Sequence, residues 1–296
     1  MTTSDVIRAD FDRYAKLIEA CLTAASFTNP AESATILRID RGIVLAQALS
    51  TSPPSADPIA RLIELAHSDR LSQIAVIDAA GHQRPVYRPL LAYAWMLAFR
   101  IRYESLPPDQ FGRWDESLRV WADLLESDLG RTNLSDQSNP AARGDAIAAA
   151  AWSALALQVA GKIFIRDAWT DLASDTFGRL SRAQQPTGSF LLASASDNPE
   201  PLWYHELAIL HATASYAVQA EDRNAARAVA RSTNLHLNET QPDHATSQPW
   251  GLFAFIWNAP ARPLADQMLH AVTLNTPDAV SLILLADALY SLRLFL

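Results

Sequence analysis

Cysteine is almost absent: Cys21 is the only one in 296 residues. That excludes an internal disulfide and a cysteine-rich zinc site, and it leaves Cys21 as a small apolar side chain. Lysine is nearly as scarce. Only Lys16 and Lys162 occur, so almost all positive charge sits on arginine, whose planar fork suits carboxylate or phosphate. The net charge is −8 and the isoelectric point is near 5.3, which argues against nucleic-acid binding through a broad basic field. Glycine is sparse at nine residues. There is no Gly-rich phosphate loop, dinucleotide fingerprint, nucleophile elbow or EF-hand loop. No nucleotide or other cofactor and no metal is expected. The N-terminal stretch MTTSDVIRADFDRYAKLIEA is charged throughout and lacks the apolar core of a signal peptide. The most apolar run, AIAAAAWSALALQVAGKIFI, is rich in alanine and is flanked by Asp145 and Arg166. A buried helix explains it better than a membrane span, so the expectation is a cytoplasmic chain with no membrane partner.

What is present is helix-forming sequence. Alanine, leucine and arginine dominate, and alternating β-branched runs are few. Breaks at Pro, Asn, Asp and Ser divide the chain into about twelve helical segments. They lie at 4–25, 31–49, 57–68, 87–103, 109–128, 144–163, 166–184, 200–219, 222–235, 249–259, 262–273 and 277–295. In 222–235, Asp222 stands as N-cap and Arg223, Arg227 and Arg231 share one face. The segments alternate between those with a charged stripe and those apolar nearly all round. A helix of the second kind is enclosed by others, and one of the first kind faces water. Strict alternation implies two layers. The expected fold is all-α, an α/α toroid of about six helical hairpins in one domain spanning 1–296. A superhelical stack of helix pairs is the alternative, but no repeat of fixed period is visible.

The segment RLSRAQQPTGSFL (179–191) carries Gln184, Gln185, Gly188 and Phe190 at the end of a charged helix. It resembles the glutamine–glycine–aromatic motif of the terpenoid-cyclase and prenyltransferase toroids, and covers about a dozen residues. The wider α/α-toroid superfamily also includes polysaccharide lyases and six-hairpin glycosidases. The resemblance implies the toroid architecture but not the cyclase or prenyltransferase chemistry. The chain has no Asp-x-Asp-Asp run, and its C-terminal half has no cysteine for an Asp/Cys/His zinc site.

Connection lengths pick out one end of such a ring. Turns from apolar to charged helices are mostly short, whereas those leading into the apolar helices are mostly long: 69–86, 129–143, 185–199 and 236–248. Long loops on a rigid scaffold are where function concentrates. The same end holds the N-termini of the apolar helices, whose unpaired N–H groups favour an anion. Candidate side chains there are Arg88 in GHQRPVYR, Trp203, Tyr204, His205 and Glu206 in EPLWYHE, and Asn238, Glu239, Asp243, His244, Gln248 and Trp250 in HLNETQPDHATSQPW. HELAILH is not a zinc signature, because its two histidines are six residues apart and point different ways on a helix.

These residues lead to an expected enzyme of lyase type that abstracts a proton from a small-molecule or oligosaccharide substrate, anionic or polyhydroxylated and carbohydrate-like, with no nucleic-acid partner. In a lyase, Tyr204 and His205 would transfer protons, while His244, Asn238 and Arg88 would neutralise the substrate's acid group. Trp203 and Trp250 would stack on the sugar, with Glu239 and Gln248 among the binding groups. A glycosidase would instead use two carboxylates from Glu200, Glu206, Glu239 and Asp243. The bland readings are a packing helix for His211, a capping loop for NETQPDH, and a non-catalytic helical binding or assembly protein for the whole.

Overall fold

A computed structural model describes residues 3–24, 87–102, 108–131, 140–191, 200–239, 248–274 and 279–296. Among these residues all regular structure is helical, and the fold is all-α. The helices are α1 (Thr3–Ala24), α2 (Tyr87–Arg102), α3 (Pro108–Arg131), α4 (Pro140–Phe164) and α5 (Asp167–Ala183). They continue as α6 (Glu200–Gln219), α7 (Arg223–Glu239), α8 (Leu252–Trp257), α9 (Arg262–Leu274) and α10 (Ala279–Arg293). A 3-10 turn, Ala259–Ala261, joins α8 to α9. The expected helices at 31–49 and 57–68 lie outside the described residues. Proline opens α3 and α4, where its missing N–H leaves no bond unmade. Asp222 caps α7, its Oδ1 accepting the N–H groups of Asn224 (2.7 Å) and Ala225 (3.1 Å). The apolar 249–259 segment forms only six residues of α-helix, because Gly251 enters it left-handed (φ 80°) and Asn258 leaves it extended.

Burial follows the alternation read from the sequence. In α6 all side chains from His205 to Ala217 are buried, and α4, α8 and α10 are buried almost as completely. Between them, α5, α7 and α9 each bury one stripe, such as Trp169, Ala173, Phe177 and Leu180 on α5, and leave the other exposed. Stretch Arg143–Phe164 of α4 is long and apolar enough to cross a membrane, with mean hydropathy 1.5, but 78% of that window is already covered by protein. It is a core helix by that measure.

The chain divides into two compact units, residues 27–176 and residues 1–26 with 177–296, and α5 is continuous across the boundary. In the first unit, α4 packs on α2 and α3. The start of α5 is pinned to α3: the Trp169 indole donates to Glu126 (2.8 Å), while Arg166 pairs with Asp123 (3.1 Å) and lies over the Trp169 ring. Gly161 permits the turn from α4 to α5, since a Cβ there would stand 2.6 Å from Thr170 Cγ2.

In the second unit, α1 packs against α9 and α10, far from it in sequence. Phe11, Tyr14, Ile18 and Leu22 form its buried stripe. Ion pairs join Arg13 to Asp266 (3.3 Å), Arg262 to Asp10 and Arg293 to Glu19. The loop that follows α5 and helices α6 to α10 complete this unit, which contains most of the candidate site residues.

Candidate functional site

The first turns of α6 carry Trp203 and Tyr204, both half-buried, and His205 and Glu206, both buried. Glu206 has no exposed surface. Its Oε1 accepts the Leu191 N–H (2.6 Å) and the Ser189 hydroxyl, and its Oε2 accepts the Phe190 N–H (2.9 Å). Three donors from one loop therefore converge on a single carboxylate, which ties residues 189–191 to α6.

The same loop is fixed on its other side by Gln184. The Gln184 amide donates to the Gly188 carbonyl (2.8 Å) and to the Ala228 carbonyl of α7 (2.9 Å), and its oxygen accepts from Arg231 Nε (2.8 Å). Gly188 is left-handed (φ 101°), and a Cβ on it would lie 2.4 Å from the Arg231 carbonyl oxygen. The glutamine and glycine of the 179–191 segment thus act together. One anchors the turn to α7, and the other lets the two backbones touch.

Deeper on α6, His211 is fully buried. Its Nδ1 lies 3.0 Å from the Gly251 N–H, which can only donate. The ring proton is therefore on Nε2, which donates to Asp287 Oδ2 of α10 (2.9 Å). The Ser215 hydroxyl donates to the same carboxylate. Serine, aspartate and histidine meet, but in the wrong order for nucleophilic catalysis. The hydroxyl is on the carboxylate rather than the imidazole, and the second ring nitrogen is taken by the main chain. His211 is a satisfied core histidine joining α6, α8 and α10. Sequence reading missed the partner. The signal was Asp287 itself, a lone acid in the otherwise apolar AVSLILLADALYSLR.

The remaining candidates are placed as follows. Tyr204 is half-buried, its ring edge-on to His205 (5.3 Å) and Trp250 (5.5 Å). His205 is buried. Trp203 is half-buried and edge-on to His236 (5.7 Å), which also meets Phe255 (6.0 Å). Burial pushes the pKa of His236 down from 6.5 to about 3, so it is neutral near pH 7. Trp250 is completely buried, and its indole N–H donates to Gln248 (3.0 Å). Both were expected to meet a sugar. Both are buried in the structure. Asn238 is exposed on α7 and donates back to the Asn234 carbonyl (2.9 Å). Glu239 ends α7 and Arg88 lies in the first turn of α2. Asp243 and His244 lie outside the described residues.

Among the described residues no group of three or more His, Cys, Asp or Glu side chains is arranged to hold a metal ion. No protein-family model, curated protein or solved structure matches the chain.

Proposed function

We propose that the chain is a non-catalytic helical binding or assembly protein, built as a two-layer, α/α-toroid-like array of helical hairpins. The observation that carries the functional half is the fate of Glu206. A carboxylate without exposed surface that accepts from one hydroxyl and two main-chain N–H groups is a strut, closed to a substrate proton. Neutral, buried His236 and main-chain-bound His211 support the same reading. The alternation of enclosed and water-facing helices supports the two-layer architecture.

A second reading is a toroid lyase acting on an anionic carbohydrate. It is favoured by the partial exposure of Trp203 and Tyr204 at the start of an otherwise buried helix. Incubating the full chain with uronate-containing polymers and following the absorbance of unsaturated products separates the two. No product is expected. Product that Tyr204→Phe abolishes would replace the assembly reading with the lyase.

A further inference from the structure

Two exposed charge rows of opposite sign have the same spacing. On α7, Arg223, Arg227 and Arg231 recur every four residues, and all three are exposed. On α5, Asp167, Asp171 and Asp175 recur at the same interval, and all three are exposed. Four residues of helix advance about 6 Å, so each row spans about 12 Å and presents three charges along one line. The α5 row ends where Arg179, also exposed, follows Asp175.

Among the described residues, Arg223, Arg227, Asp167 and Asp171 make no side-chain ion pair. Other surface charges do find partners at this four-residue interval, as in Lys16 with Asp12 (2.6 Å) and Arg119 with Asp115 (3.1 Å). Arg231 is held by Gln184, which fixes one end of the cationic row. The chain as a whole carries −8, so three aligned arginines are a local reversal of its charge. Guanidinium groups match carboxylates in planar, two-pronged pairs.

We infer that the α7 arginine row of one copy docks on the α5 aspartate row of a second copy. This deepens the assembly reading and rests on it, by naming the partner. Each copy carries both rows, so each copy offers both halves of the contact. Exposed ion pairs are individually weak and are screened by salt, so the association is weak and salt-labile.

Sedimentation velocity on the full chain, over a range of protein concentrations at about 20 mM and about 500 mM salt, tests this. At low salt the mass should rise with concentration, and at high salt the rise should vanish. Arg227→Glu and Asp171→Arg should each weaken association by about tenfold or more, with the helical signal in circular dichroism unchanged. An equimolar mixture of the two variants should associate again, because the acid introduced into one row then faces the base introduced into the other. Mass independent of salt and concentration would overturn the inference. So would weakening by Arg227→Glu without weakening by Asp171→Arg, which would point to a different anionic partner, or a mixture that stays apart. Each of these leaves the assembly reading standing, whereas turnover of a uronate polymer removes that reading whatever the sedimentation result.

Discussion

At Ile165 the backbone is left-handed (φ 53°) while the side chain is 88% exposed. The position is the residue after α4 in a turn closed by the Arg166 N–H on the Gly161 carbonyl (2.9 Å), where glycine is the usual occupant. A β-branched side chain is strained there and gains nothing from burial. Ile165→Gly should therefore raise the unfolding free energy by about 1 kcal/mol, read as a higher urea midpoint with an unchanged slope. A lower midpoint would mean that the side chain makes a contact worth more than its strain. Glu221 occupies the matching place after α6 (φ 55°), so both short turns solve the same geometric problem without glycine. Legibility in the sequence is uneven at this scale. Asp222 was legible as a cap because capping is a local rule. The role of Glu206 and the partner of His211 were not, because the groups they meet lie 15 and 76 residues away.

Elements were more legible than residues. A stripe of charge marks a helix with one wet side, and its absence marks an enclosed one, so the alternation through α10 follows from sequence alone. The short α8 did not, since apolar content gives no notice of a left-handed Gly251 at its start. The loop after α5 shows how elements are fastened. Gln184 holds it to α7 and Glu206 holds it to α6, and the fit depends on Gly188 having no side chain. Gly188→Ala forces either the turn or α7 to shift and adds left-handed strain. A loss of about 2 kcal/mol or more in chemical denaturation is expected. If the loss stays within a few tenths, the loop and α7 are less closely seated than these distances state.

For the whole molecule, the all-α class was legible from composition and spacing. The division into two units was not. Periodicity reports that a helix has apolar neighbours but does not say which ones, and nothing in α1 announces that α9 and α10 cover it. A property of the whole chain that the structure adds is its response to acid. His236 has a folded pKa of about 3 against 6.5 when unperturbed, so between those values the unfolded chain takes up a proton that the folded chain refuses. Its contribution is complete above pH 6.5 and is lost as the pH falls toward about 3. The slope is up to about 1.4 kcal/mol per pH unit. Unfolding free energies measured from pH 7 to pH 4 should fall less steeply in His236→Phe than in the unsubstituted chain. Equal slopes would show that the imidazole is protonated while folded.

The seating of α1 has a consequence for the order of events in synthesis. Its apolar stripe of Phe11, Tyr14, Ile18 and Leu22 is covered by α9 and α10, and its Arg8 reaches the Leu296 carbonyl. On the ribosome α1 therefore emerges long before the helices that cover it. While all the intervening chain is being made, a sticky face waits without its partner, at the stage when such faces are most open to capture by chaperones or by other nascent chains.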